Sequence, residues 1–215
     1  MDRRIYRALS ALLCYPEGEL LDSLDAVRMV LEGTPTVAAM MEPLLVHLSG
    51  GDLIRLQEGY VQTFDRTPGH ALHLFEHIHG EDRARGQAMV DLIEEYRAHG
   101  FEPVTSELPD YLPLFLEFLS TCEAAEAARL LGDAVHVVAH VAGRLRENAS
   151  PYACALEALV WLSPVAPEPL TVPPVRDMDE ALETFGPGVD GVEPLLKPGL
   201  PAVAPINFYA KRPSA

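Results

Sequence analysis

The sequence predicts an all-α protein: a single compact helical bundle domain over residues 1–164, followed by a proline-rich, largely irregular tail over residues 165–215. Two observations carry this. Through the first part, apolar residues recur at spacings of three and four, the period of a helix with one buried face, and the alternation of a half-buried strand is nearly absent. From Pro164 onward lie eleven of the 19 prolines. Proline removes a backbone donor and blocks helix propagation, so the tail is expected to be flexible and without a packed helix, Asp177 to Phe185 excepted.

The elements follow in chain order. Ile5, Leu9, Leu12 and Leu13 form the stripe of a first helix. Leu20, Leu24, Val27 and Leu31 form a second, stopped by Gly33 and Pro35. A third, Val37 to Leu48, is weakened by Pro43 and ended by Gly50-Gly51. Asp52 then caps a helix through Leu53, Leu56, Tyr60, Val61 and Phe64, because its carboxylate can accept the unpaired amides of the first turn. A loop follows, Asp65 to Gly69. Glu81 to His99 has acids in its first turn, a stripe of Met89, Leu92, Ile93 and Tyr96, and Gly100 beyond its end. Tyr111 to Leu119 is apolar almost all round, as a central helix must be, with Pro113 tolerated in its first turn and Asp110 as its N-cap. Ala124, Ala128, Leu131, Val135, Val138, Ala142 and Leu145 mark a long bundle helix, on which His136 and His140 read as surface or helix-contact polarity. Ser150 and Pro151 start the last helix, Tyr152 to Leu162.

The formal net charge is -16. A surface of that sign repels nucleic-acid backbones and anionic membranes, so a basic partner is favoured and neither nucleic acid nor direct membrane insertion is expected. Arg3-Arg4 resembles a twin-arginine signal, but Arg7 interrupts the short apolar run and Pro16, Glu17 and Glu19 stand where a cleavage site belongs. No run of about 18 uncharged apolar residues exists to span a membrane. Cys14, Cys122 and Cys154 are odd in number and far apart, which fits a reducing cytoplasm rather than a disulfide framework.

The stretch with most chemistry is Leu72 to Gly80, Leu-His-Leu-Phe-Glu-His-Ile-His-Gly. His73, Glu76 and His77 fall at i, i+3 and i+4, so on a helix they share one face. One reading is a metal-dependent enzyme built on His70, His73, His77 and His79, since imidazole with carboxylate suits zinc or iron. The spacing matches no closed motif, and four ligands from one short segment strain tetrahedral geometry. The other reading keeps Leu72, Leu74, Phe75 and Ile78 as core while the histidines cap turns or line a groove. Elsewhere, no Gly-rich loop after a strand and no nucleophile elbow occurs, and the cysteines sit in apolar helical patterns, so no enzyme is expected.

Several longer runs carry a resemblance. They are Tyr60-Val61-Gln62-Thr63-Phe64-Asp65-Arg66, then Leu72 to Glu81, then Arg85 to Leu92, and finally Glu107-Leu108-Pro109-Asp110-Tyr111-Leu112-Pro113-Leu114-Phe115-Leu116-Glu117-Phe118-Leu119. In these the chain resembles the NarJ, or delta-subunit, family of nitrate reductase molybdenum cofactor assembly chaperones. That family lies within the all-helical redox-enzyme maturation chaperones that include TorD and DmsD. Tyr60 to Phe64 is similar to the wider group's aromatic-x-x-Leu-Phe element, and Glu107 to Tyr111 to its Glu-Pro-Asp-His element, with Tyr111 where that group has His.

The resemblance implies a chaperone that binds the N-terminal helix of the apo catalytic subunit NarG. The client then receives molybdopterin guanine dinucleotide, possible cofactor-biosynthesis proteins join as further partners, and the chaperone itself holds no cofactor or metal stably. A permanent scaffold subunit is the alternative of another class. An amphipathic client helix needs an apolar groove with complementary charge. The candidates are Tyr60, Phe64, His73, Phe75, His77, Tyr111, Leu114, Phe115 and Phe118 for the groove, with Asp65, Glu76, Asp110 and Glu117 for basic client residues.

Overall fold

The computed structural model describes residues 2–79, 83–104 and 107–170. Among these the chain forms ten α-helices: α1 Arg4–Leu13, α2 Gly18–Asp22, α3 Leu24–Leu31, α4 Pro35–Gly50, α5 Leu53–Tyr60, α6 Glu76–His79, α7 Arg83–Ala98, α8 Leu112–Thr121, α9 Ala124–Glu147 and α10 Ala153–Leu162. Extended pairing is confined, among the described residues, to one isolated antiparallel bridge between His73 and Tyr111. The all-α expectation therefore holds.

At the centre α1 lies against α8, α9 lies against α10, and α4 closes over α10 and α3. The apolar run of α8 is buried on nearly every side: Leu112, Leu114, Phe115, Leu116, Phe118 and Leu119 are all core. Two polar ties fix α1 to this helix. Ser10 Oγ, buried, donates to the Pro113 carbonyl at 2.7 Å. The Arg3 guanidinium donates to the free carbonyls of Thr121 and Cys122 at the C-terminal end of α8, where the helix dipole favours a cation.

Helix boundaries follow local chemistry, with three departures. The single helix expected over residues 19–32 is broken at Ser23 into α2 and α3. In contrast, α4 runs on through Pro43, which lies on its exposed side where water can satisfy the carbonyl left unpaired. Asp52 caps α5 as expected, accepting the amides of Ile54 and Arg55, but the helix loosens into a π turn at Val61–Asp65 and a 3-10 turn at Pro68–His70.

Gly100, at φ +73°, ends α7 in a Schellman arrangement in which the Phe101 N–H reaches the Tyr96 carbonyl at 2.9 Å. The same arrangement ends α9, where Ser150 N–H donates to Leu145 O at 2.9 Å and the left-handed position is taken by Ala149, at φ 51°. Alanine pays a steric cost there that glycine would not.

The described start of the tail packs instead of leaving the bundle. Val165 sits on Gly132 of α9, where an added Cβ would lie 2.8 Å from a Val165 methyl. The Glu168 N–H donates to His136 Nδ1 at 2.8 Å, and Leu170 rests against the core. The helix expected over 177–185 and the apolar patch Ile206 to Tyr209 lie outside the described residues. No helix among the described residues is long and apolar enough to cross a membrane.

Candidate functional site

The π turn, the histidine segment and the loop before α8 meet around a buried carboxylate. Leu112 N–H donates to Leu72 O at 2.8 Å and Leu74 N–H to Asp110 O at 3.0 Å, which stitches the two segments into the short bridge. Asp110 is fully buried. Its Oδ2 accepts the Phe75 N–H at 3.0 Å, so it caps the turn leading into α6 and not α8, whose N-cap, Tyr111, makes no side-chain bond. Arg85 spans Glu76 at 3.2 Å and Asp110 at 3.9 Å. The His73 Nδ1 stands 3.4 Å from Asp110 Oδ1, near enough for charge attraction but outside hydrogen-bond geometry.

These contacts correct the expectation of one helical face carrying His73, Glu76 and His77. Helix α6 begins only at Glu76. Residues 72–74 are pulled into the bridge, because Asp110 and the loop before α8 satisfy the amides that a helix would have used itself. The histidines accordingly go separate ways. His77 is buried, its Nε2 donates to Ala71 O at 2.8 Å, and burial pushes its pKa down to about 4, so it is neutral and cross-braces the segment. His70 donates from Nδ1 to Thr63 O at 3.0 Å and accepts at Nε2 from the Asn148 amide at 2.8 Å, which ties the π turn to the end of α9. His140, on α9, packs its ring edge-on to His77 at 5.8 Å.

Such divergence leaves no metal cage in this segment. Among the described residues, donor atoms converge as metal ligands do only at Glu95, His99 and Glu126, on α7 and α9. There the Arg129 guanidinium already bridges Glu95 at 3.1 Å, Glu126 at 2.6 Å and Asp133 at 2.8 Å.

Outward from Asp110 the site turns aromatic. Tyr60 donates its hydroxyl proton to Leu13 O at 2.8 Å, so the 3.2 Å contact between the two hydroxyls has Tyr111 as donor. Burial raises the Tyr111 pKa to about 12, and Tyr60 is raised further for the same reason. The Tyr60 ring meets Tyr15 at 5.5 Å, Phe64 at 4.7 Å and Tyr152 at 5.8 Å. The Gln57 amide donates to Pro16 O at 2.9 Å and holds the loop carrying Tyr15 against α5.

The surface above these rings is a groove of about 440 Å³ lined by Tyr15, Ile54, Gln57, Glu58, Val61, Gln62 and Arg66. Glu58 and Arg66 are its charged lining residues, and further acidic groups act on Cys14, nearby in the chain, and on Tyr111 in the aromatic cluster. The Cys14 thiol is pushed up to about 11 by burial first and then by Glu117, Glu107 and Glu17. Glu107 and Asp65 act in the same way on Tyr111. All four acids, with Glu58, are solvent-exposed.

The expected groove residues therefore divide. Asp65 and Glu117 are exposed, and His73, Glu76 and Tyr111 are partly exposed, but none of the five lines the groove. Phe75, Phe115 and Phe118 are at most 1% exposed, and Phe64, Leu114, Tyr60, His77 and Asp110 are also buried, so these eight are interior side chains and not groove lining. The reason is that α8 is enclosed by α1 and α9 as well as by the histidine segment. Sequence reasoning missed Tyr15 and Ile54, 41% and 65% exposed. The signal was present for Ile54, an apolar residue off the stripe of Leu53, Leu56 and Tyr60.

Comparison with known proteins places this arrangement. The family described as nitrate reductase delta subunit matches residues 32–157. The chain is 36% identical over 162 residues to the nitrate reductase molybdenum cofactor assembly chaperone NarJ of Escherichia coli K12, covering 74% of this chain and 69% of that one. It is 33% identical over 162 residues to a NarJ protein of Bacillus subtilis, covering 74% and 88%. Among solved structures, a redox enzyme maturation protein from Archaeoglobus fulgidus superposes with a TM-score of 0.57 at 23% identity, over 74% of this chain and 91% of that one, a likeness of fold.

Proposed function

The chain belongs to the nitrate reductase delta subunit family, and from that premise we propose that it is a nitrate reductase assembly chaperone whose groove at Tyr15, Ile54 and Val61 holds the N-terminal segment of the apo catalytic subunit. The relatives from Escherichia coli and Bacillus subtilis carry the name of nitrate reductase molybdenum cofactor assembly chaperones. The observation that carries the finer reading is the groove itself, with Tyr15, Ile54, Val61 and Glu58 in its lining, and with Glu17, Glu107 and Glu117 acting on Cys14, next in the chain to Tyr15, and Asp65 and Glu107 on Tyr111. An amphipathic helix with basic flanks fits such a surface through its i, i+3, i+4 and i+7 anchors. Four anchors at roughly 3 kcal/mol each, against an association cost of roughly 4 kcal/mol at the low end, give a net of about 8 kcal/mol, an affinity near micromolar.

In this reading the client is held in the cytoplasm in a form open to its molybdopterin guanine dinucleotide, and the chaperone leaves when the cofactor is in place. The buried layer below supplies rigidity. Asp110, Arg85 and the His70 and His77 bonds fix the segments that carry Tyr111 and the π turn, so the face is preorganised and little ordering is required on binding.

The test is calorimetric titration of the N-terminal segment of a nitrate reductase catalytic subunit into the protein. Ile54→Asp and Glu117→Lys are expected to weaken binding at least tenfold with unchanged thermal unfolding. Equal affinity in both variants would move the client elsewhere.

A further inference from the structure

At the C-terminal end of α7, apart from the histidine segment, Glu95 and His99 stand one helical turn apart and meet Glu126 from the first turn of α9. One donor atom from each lies within 4.8 Å of the other two. The imidazole is held in place by its surroundings. Its Nδ1 donates to the Glu95 carbonyl at 3.0 Å, and its ring lies edge-on to the buried Phe118 at 5.6 Å. Because a carbonyl can only accept, Nδ1 carries the proton, and in the neutral ring Nε2 presents a lone pair 3.8 Å from Glu126 Oε1. Two acceptors set against each other in this way call for a cation between them. We propose that Glu95, His99 and Glu126 bind a divalent transition ion of the zinc type, which clips α7 to α9.

Charge and spacing both fit such an ion. The Arg129 guanidinium faces three carboxylates, Glu95 at 3.1 Å, Glu126 at 2.6 Å and Asp133 at 2.8 Å. One positive charge against three negative ones leaves an excess that a divalent ion cancels when His99 is neutral. Arg129 can stay in place, because its Nη1 is held by Asp133 and each carboxylate offers about four lone-pair sites. Zinc takes imidazole nitrogen at about 2.0–2.1 Å and carboxylate oxygen at about 2.0–2.2 Å, so ligand atoms of a tetrahedron stand roughly 3.3–3.6 Å apart. The 3.8 Å pair is close to that spacing, and rotation of the two glutamate side chains closes the set. All three side chains are partly exposed, which gives the ion a way in and leaves water for its fourth position. The Nδ1 bond to a backbone carbonyl is the outer contact that fixes a ligating imidazole.

The ion acts where α7 has little else to hold it. Among the described residues of this helix, Leu92 and Tyr96 alone are buried. Its N-terminal half carries Arg85, which reaches Asp110 in the buried junction, so a clip at the other end steadies the helix that delivers this guanidinium.

The test is calorimetric titration of zinc chloride into untagged full-length protein, stripped of metal by a chelator and dialysed, at about pH 7.5, where imidazole is unprotonated. One equivalent is expected to bind. His99→Ala and Glu126→Gln should each weaken that binding at least tenfold, and His73→Gln, in the histidine segment, should leave it unchanged. Zinc should also raise the thermal midpoint of wild type and not that of His99→Ala. Arg129→Gln removes a competing cation and is expected to bind zinc more tightly than wild type. Absence of a one-equivalent site in wild type, or binding indifferent to His99→Ala, overturns the inference. So does zinc binding that appears only after Arg129 is replaced, since the guanidinium is then the cluster's resident cation.

Discussion

Asp110→Ala is expected to be among the most destabilising single changes in this protein, and its size follows from what the carboxylate holds. Asp110 is fully buried, accepts the Phe75 amide at 3.0 Å, and lies 3.9 Å from the Arg85 guanidinium and 3.4 Å from His73. Removing one partner of a buried ion pair costs about 3–5 kcal/mol, because the other charge stays desolvated. Arg85 keeps Glu76 at 3.2 Å, which places the loss toward the lower end. For a domain of this size each kcal/mol lowers the midpoint by roughly 2–4 °C, so a drop of roughly 6–15 °C is expected. Asp110→Asn keeps an acceptor for Phe75 and loses only the charge, so it should fall between wild type and Ala. Urea denaturation with shared m-values is the assay. If Asp110→Ala lies within about 0.5 kcal/mol of wild type, the carboxylate does not hold the histidine segment to α8, and the account of the site's rigidity is wrong.

Other outcomes are as specific. Phe115→Ala and Phe118→Ala, both core residues, should each cost about 3–5 kcal/mol in stability, and calorimetry at a temperature where they remain folded should show client affinity near that of wild type. Ala149→Gly relieves the left-handed position at φ 51° and should raise stability by roughly 0.5–1 kcal/mol in the same denaturation assay. His77, with its pKa lowered from 6.5 to about 4 by burial, binds a proton in the unfolded chain before it does in the folded one. Its contribution is therefore complete above about pH 6.5 and is lost as pH falls toward 4, on the order of 3 kcal/mol over the window. Urea titrations at pH 7, 5.5 and 4.5 should show His77→Gln losing less stability over that range than wild type, and parallel curves would contradict the burial argument.

What the sequence by itself determined is the set of helices, because helix formation is announced locally. The stripe of α1, the Asp52 cap, the Gly100 stop and the 24-residue α9 all follow from the periodicity of apolar residues and from the few residue types that satisfy free helix ends. The near-uniform apolarity of α8 likewise announced its central place. Family resemblance was legible in long runs at residues 60–66, 72–81, 85–92 and 107–119, and Tyr60, Phe75, Arg85 and Asp110 from these runs take part in the buried junction.

What only the tertiary structure decided is the direction of side chains where backbone bonds are made between distant segments. His73 to His77 has a helical spacing, yet Asp110, more than thirty residues on in the chain, takes the Phe75 amide and turns the first half of the segment into a bridge. No local pattern encodes that competition. Exposure was equally invisible: the aromatic residues of α8 look like groove anchors in sequence, but α1, α9 and the histidine segment enclose them. The groove is lined instead by residues such as Tyr15 and Ile54, whose role depends on being left outside the packing that consumes their neighbours.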